Sequence, residues 1–289
     1  MSLEVYERVA EARAGAAAAR EAAASSALVP TMGALHEGHL SLVDRAREVA
    51  DRVVLSIFVN PLQFGAGEDL VGYPRQLQED VDLARGRGVD AVFAPSAAEM
   101  YPAGEPVVTV EPGPLAERLC GASRPGHFRG VLTVVAKLFG ICQPDVAVFG
   151  SKDFQQAVLV RRMAQDLNLP VRVVSAPIVR DEDGLALSSR NRYLSGEQRV
   201  RARSLSRALR EAQRRFGAGE RDAAALRDAM SAVLAQGGTE AEYAEVVDRD
   251  TLDAVSYAAG DSVCLVAGRV DGVRLIDNSA LGETIVSPT

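Results

Sequence analysis

Histidine is scarce in this chain, and long apolar runs are missing altogether. Only three histidines occur among 289 residues, and two of them, His36 and His39, stand three positions apart. The cysteines, Cys120, Cys142 and Cys264, are odd in number, far apart and without a CxxC pair. That excludes a disulfide framework or a cysteine zinc site and fits free thiols in a reducing compartment. No apolar run is long enough to cross a bilayer. The opening stretch MSLEVYERVAEARAGAAAAREAAASSA carries acids and lacks an apolar h-region, so a secretory signal is not expected. Basic excess is lacking too: the formal net charge is -7, which disfavours a phosphate-backbone footprint but leaves room for a local cationic pocket around one small anion. G-x-G-x-x-G and the P-loop are both absent. So is the G-x-S-x-G elbow, and no Cys–His pair lies near a motif, so no enzyme nucleophile is expected. The default expectation is then a cytoplasmic protein, with no membrane and no nucleic-acid partner.

What is present is alternation. Residues 3–23 read as an Ala-rich helix, with Val5, Val9 and Ala12 at helical spacing. SALVP (26–30) is a short strand, HLSLVDRAREVAD a helix with Leu40, Val43, Ala46 and Ala50 on one stripe, and RVVLSIFV (52–59) a β-branched run suited to a strand buried on both faces. Helices at 73–88, 128–142 and 152–168 alternate with strands at 89–95, 145–150 and 171–179. Strand, helix, strand in that order predicts parallel pairing. The expected fold is α/β: a Rossmann-like, doubly wound parallel sheet. After about residue 180 the pattern changes to helices at 196–216 and 221–236 and strands at 242–248, 261–270 and 273–278, which predicts a smaller α+β domain. The expected domains are 1–179 and 180–289, with the boundary in the polar loop RDEDGLALSSRN.

The two histidines belong to PTMGALHEGH (30–39), between the first strand of the sheet and its helix. In an open parallel sheet ligands bind beyond the carboxyl ends of the strands, and a helix N-terminus offers free N–H groups and partial positive charge to phosphate. Gly33 and Gly38 let backbone approach a ligand. Zinc fits poorly, because HExxH needs histidines at i and i+4 and His127 is remote. Two surface histidines at a helix cap, or a phosphate clamp for a nucleotide, both remain open on these residues alone.

HxGH after the first strand of such a domain resembles the signature of the nucleotidylyltransferase superfamily. The wider set PTMGALHEGH, FVNPLQFG, YPR, RPGHFRGV, GSKDFQQ and DGLALSSRNRYL, in order from residue 30 to 194, resembles the pantoate–β-alanine ligases. The last hundred residues match only in general pattern. The resemblance implies a two-step reaction: pantoate carboxylate attacks the α-phosphate of ATP, giving pantoyl adenylate and pyrophosphate, and the amine of β-alanine then displaces AMP to give pantothenate.

It also implies a site. Met32, Gly33, Ala34, Leu35, His36, Glu37, Gly38 and His39 would form the ATP loop, with His36 and His39 stabilising charge on phosphorus. Gly150 and Asp153 would hold the ribose, Lys152 a phosphate, and Ser188, Ser189 and Arg190 the β- and γ-phosphates. Val179 and Leu187 would line the adenine. The family commonly carries glutamate or glutamine where this chain has Ser151. Gln63 and Gln156, with the Met32 N–H, would read pantoate, since an amide both donates and accepts. Asn60, Phe58 and Phe154 are candidate wall residues. His127 has no assigned chemistry, and Asp80 and Asp82 read as a solvated helix face from which one could meet Mg2+ through water. Mg2+ would enter with ATP, no protein-caged metal is expected, and a homodimer is implied, with a C-terminal domain that closes over ATP. Competing readings are another nucleotidylyltransferase, which would need an Arg- or Lys-rich second anion pocket, a tRNA-charging enzyme, disfavoured by the net charge, and a non-catalytic nucleotide-binding regulator.

Overall fold

The computed structural model describes residues 3–65, 68 and 70–285. The chain divides into two compact units, Met1–Gly150 with Gln156–Ala176, and Ser151–Gln155 with Pro177–Thr289. The break in the chain falls after Ala176, and the short segment after Gly150 belongs with the second unit.

The first unit runs β1 (Glu4–Tyr6), α1 (Val9–Glu21), β2 (Ser26–Thr31), α2 (Glu37–Arg47), β3 (Arg52–Ile57), α3 (Leu77–Gly86), β4 (Ala91–Phe93), α4 (Ala97–Met100), α5 (Cys120–Ser123), α6 (His127–Cys142), β5 (Val146–Gly150), α7 (Phe154–Asp166) and β6 (Arg172–Ala176). Its sheet has the order β1-β4-β3-β2-β5-β6, parallel throughout. β2 is central: β3 pairs on one side and β5 on the other, and Ala27, Leu28 and Val29 are fully buried. Strand order reverses between β2 and β5, which creates a crevice beyond their carboxyl ends. Val43 and Ala46 of α2 pack with Val53, Leu55, Val92 and Val148 into the core beneath it. α6 is buried along most of its length, as its nearly continuous apolar sequence requires.

One expectation at the start of the chain is corrected. Residues 4–6 are not helical; they pair in register with Ala91–Phe93 as the edge strand β1. Helix begins only at Val9, where the Glu11 carboxylate accepts from the N–H groups of Glu7 and Arg8 and closes the N-terminus.

The second unit holds α8 (Gly196–Ala202), α9 (Ser204–Gly217), α10 (Ala223–Gln236), β7 (Glu240–Val247), β8 (Val263–Val270) and β9 (Val273–Ala280). The three strands form an antiparallel sheet, β7-β8-β9. Leu205, Ala208, Leu209 and Ala212 line one face of α9 and pack with Leu226, Met230, Leu234 and Val266. The single helix expected at 196–216 is two helices separated at Arg203, the first opened by a Ser195–Gln198 capping box. No helix among the described residues is long and apolar enough to cross a membrane.

Candidate active site

The loop after β2 is shaped by groups that draw its backbone inward. Thr31 Oγ donates to Ser56 O at 2.7 Å and accepts from the Gly33 N–H at 3.2 Å. Asp80 is 1% exposed, and its carboxylate accepts from the N–H of Ala34 (2.9 Å) and of Leu35 (2.8 Å). The loop turns through positive φ at Gly33 (+81°), which glycine adopts freely, and at Ala34 (+51°), where an alanine is strained. A Cβ on Gly33 would also lie 2.8 Å from Asp80 Oδ2, so only glycine fits. Asp80 is therefore no solvated residue, as the helix pattern implied, but the brace of the loop. Ala34 and Leu35 spend their N–H groups on this carboxylate, so the ATP contacts expected of them cannot use those donors.

His36 is the N-cap of α2, with its Nδ1 accepting from the Gly38 N–H at 3.1 Å. An Nδ1 that accepts carries its lone pair, so the ring hydrogen sits on Nε2. The His36 carbonyl receives the N–H groups of His39 and Leu40. His39 sits one turn on, its ring centroid 4.1 Å from that of His36 and tilted by 31°. Glu37 is exposed and paired with Arg87, which also engages Asp44. No cluster of three His, Cys, Asp or Glu side chains capable of holding a metal exists among the described residues.

A second bracket holds Gln63, in the turn Pro61–Gln63 after β3. Asn60, 1% exposed, donates from Nδ2 to Gln63 Oε1 and to Gly130 O, both at 3.1 Å, and accepts from the Tyr101 hydroxyl at 2.8 Å. Burial pushes the Tyr101 hydroxyl above its ordinary range and keeps it a donor. With Oε1 occupied, Gln63 presents its Nε2–H groups, one of which meets Met32 Sδ at 3.1 Å. Asn60 is thus a polar bracket rather than the wall residue expected, while Phe58 is buried beside the Tyr101 ring.

His127 belongs to the same bracket. Its Nδ1 lies 2.8 Å from Gln63 O, and a carbonyl only accepts, so Nδ1 carries the hydrogen. Nε2 then accepts from Arg124, 2.9 Å away, whose guanidinium grips Glu68 through two 2.6 Å bonds. Burial raises the Glu68 pKa, but the Arg124 hydrogen bonds and charge outweigh it and hold the carboxyl below its usual value. A cavity of about 330 Å³ opens here, lined among others by Gln63, Phe64, His127, Arg129 and Thr133. Gly130 faces it without a side chain because a Cβ would collide with Leu62 O at 2.2 Å. Gln156 is half-buried at the start of α7.

The remaining expected residues lie elsewhere. Gly150 ends β5, opposite Ala176. Ser151, Lys152 and Asp153 form one 3-10 turn that belongs to the second unit. Val179, Leu187, Ser188, Ser189 and Arg190 follow β6: the N–H of Leu187 bonds to Val179 O at 2.9 Å, and the Ser188 hydroxyl caps the turn Ser189–Tyr193 by accepting from the Arg190 N–H. Sequence reasoning missed Tyr101 and Arg124, and it named Asp80 and Asn60 without their bracing contacts. Asn60 lies within FVNPLQFG and Arg124 opens RPGHFRGV, whereas Tyr101 stands outside the quoted motifs.

A doubly wound parallel sheet carrying an HxGH loop at its switch point is the arrangement of an enzyme that handles a nucleotide triphosphate. The family model for pantoate–β-alanine ligase matches residues 4–280. The chain is 53% identical over 280 residues to the pantothenate synthetase of Moorella thermoacetica, covering 96% of this chain and 99% of that one. It is 56% identical over 273 residues to the pantothenate synthetase of a Nocardioides species, covering 92% and 81%. The crystal structure of pantothenate synthetase from Thermus thermophilus superposes with a TM-score of 0.90 at 48% identity, covering 96% and 99%. That of the pantoate–β-alanine ligase from Francisella tularensis, complexed with beta-gamma ATP and β-alanine, gives 0.82 at 31% identity, covering 99% and 100%. The chain belongs to the pantoate–β-alanine ligase family.

Proposed function

We infer that this chain performs its family's reaction: the ATP-dependent condensation of pantoate with β-alanine to pantothenate, through pantoyl adenylate, releasing pyrophosphate and then AMP. The observation that carries this reading is the braced HxGH loop at the sheet's switch point, in a chain matched to the family from residue 4 to 280. No side-chain nucleophile is needed. The carboxylate oxygen of pantoate bonds to the α-phosphorus as the bond to the bridging oxygen breaks and pyrophosphate leaves. The β-alanine amine then bonds to the acyl carbon, loses a proton, and AMP departs.

In this reading the His36 Nε2–H and the His39 ring hold negative charge on the phosphate oxygens. Gln63 offers its N–H groups to a pantoate oxygen, with Gln156 as the second reader and the cavity of about 330 Å³ as room for a small hydroxy acid. From the second unit, Lys152, Ser188, Ser189 and Arg190 bind phosphate, Gly150 and Asp153 the ribose, and Val179 and Leu187 the adenine. We assign the second unit the role of a lid. Mg2+ enters bound to the phosphate oxygens of ATP and neutralises charge there, since oxygen donors of phosphate suit it better than the histidine loop. We also assign a cytoplasmic setting, supported by three free, buried cysteines, and a homodimer, to be checked by light scattering.

One reaction tube tests the function. Protein, ATP, Mg2+ and pantoate are mixed with and without β-alanine, and products are identified by mass. AMP, pyrophosphate and pantothenate together are expected; ADP and phosphate would mean attack at the γ-phosphate and would sink the reading.

A further inference from the structure

Asp277 and Asn278, near the end of β9, are 3% and 5% exposed. Neither belongs to the expected site, yet both reach segments that do. Asn278 Nδ2 donates to two consecutive carbonyls, Ser151 O and Lys152 O, each at 2.9 Å and more than 120 positions away in sequence. Its own N–H donates to Asp277 Oδ1 at 2.8 Å. Asp277 in turn accepts both arms of the Arg180 guanidinium, at 2.6 and 2.9 Å. Arg180 also donates to Gly184 O at 3.2 Å. It therefore clamps the narrow hairpin in which Arg180 pairs antiparallel with Ala186 and from which Ser188 and Arg190 emerge. A continuous set of hydrogen bonds thus runs from the Lys152 turn through Asn278, Asp277 and Arg180 to the hairpin that leads into Ser188, Ser189 and Arg190.

A buried amide that gives both hydrogens to adjacent carbonyls fixes the height and pitch of that turn, and so the root of the Lys152 side chain. A bidentate guanidinium–carboxylate pair fixes orientation as well as distance. We propose that Asp277 and Asn278 are positioning residues, which hold the Lys152 turn and the Ser188–Arg190 loop in register for the phosphates of ATP. The inference rests on the reading of those two segments as phosphate binders, and it goes beyond it by naming what aligns them. It also accounts for Ser151: the position acts through its carbonyl, so the change of side chain from the family's common glutamate or glutamine leaves the bracket intact.

The test separates the half-reactions. In the proposed reading Ser188, Ser189 and Arg190 meet the β- and γ-phosphates, which have departed by the second step. Asn278→Ala is expected to slow pyrophosphate release from ATP and pantoate about 10- to 100-fold, while the kcat for aminolysis of pantoyl adenylate, supplied at saturation so that a weakened ribose contact is masked, changes less than about threefold. Asn278→Ser, which keeps one donor, should fall between, and it carries the same readout if the alanine variant does not fold. Lys152→Ala is run alongside. If it slows pyrophosphate release while both Asn278 variants match wild type, the positioning role is overturned and the phosphate reading stands. If Lys152→Ala itself matches wild type, the phosphate reading fails first. Equal loss of both half-reactions in the Asn278 variants, together with a lowered melting temperature, would reduce Asn278 to a structural strand residue and overturn the proposal.

Discussion

The HxGH loop of the first unit and the Lys152 turn of the second are braced by opposite chemistry. The loop points N–H groups inward and meets a carboxylate, Asp80. The turn points carbonyls inward and meets an amide, Asn278. Each brace satisfies backbone groups that would otherwise lack partners, and each leaves the segment's proposed site side chains out of the bracing bonds. They differ in reach. Asp80 lies 46 positions from Ala34, on a helix of the same Rossmann-like unit, whereas Asn278 comes from the end of the chain. A short turn can be local in sequence while the residue that fixes it is not.

The comparison can be broken at either end. The largest effect on activity is expected at Asp80→Ala, which leaves two buried N–H groups unpaired and releases the strained backbone at Ala34. Pyrophosphate release should fall about 100-fold, with a stability loss of about 2–4 kcal/mol. Asp80→Asn keeps one acceptor oxygen and should recover part of both, as stopped-flow pyrophosphate assays and urea titration would show. Next comes Asp277→Ala, which strands the buried Arg180 charge. Urea unfolding should show a loss of about 3–5 kcal/mol, and wild-type stability would break the claim that the second unit's brace is ionic.

A smaller effect separates the Gln63 bracket from both. The folded Glu68 pKa lies below its ordinary 4.5, so this carboxylate contributes stability that is present above about that pH and is lost as pH falls through the lower folded value. The stability difference between wild type and Glu68→Gln should be constant from pH 7 down to about 4.5 and shrink below it. Smallest of all is the thiol response. Burial pushes Cys142 and Cys264 up to about 12, which leaves roughly one thiolate in 10⁴ at pH 8. Iodoacetamide should label neither in the native enzyme and both after unfolding, with activity unaffected by reductant.

What was legible in the sequence follows the same division. The parallel sheet showed because its strands are continuous apolar runs, and the HxGH loop because its histidines and glycines are contiguous. β1 was hidden because Val5 and Val9 also satisfy helical spacing, and a three-residue edge strand has no period of its own. Asp80 sits in the acidic run Gln78-Glu79-Asp80-Val81-Asp82, where composition cannot say which carboxylate faces inward. Asp277 and Asn278 looked like ordinary strand residues, since their partners are about 100 or more positions away. His127 could be named but not explained until Gln63 O and Arg124 were seen on its two nitrogens.

His36 deserves a last consequence. The usual caps of a helix are small polar side chains chosen for folding alone. Here an imidazole takes that place, its Nδ1 seated on the helix it starts, and in the proposed reaction the same ring also meets phosphate. Asparagine could take over the first duty and not the second, and a lysine could supply charge without starting the helix. On the proposed role, stability and catalysis at this position cannot be tuned separately, and an engineer seeking a hardier or a faster enzyme would find it a place with a single workable answer.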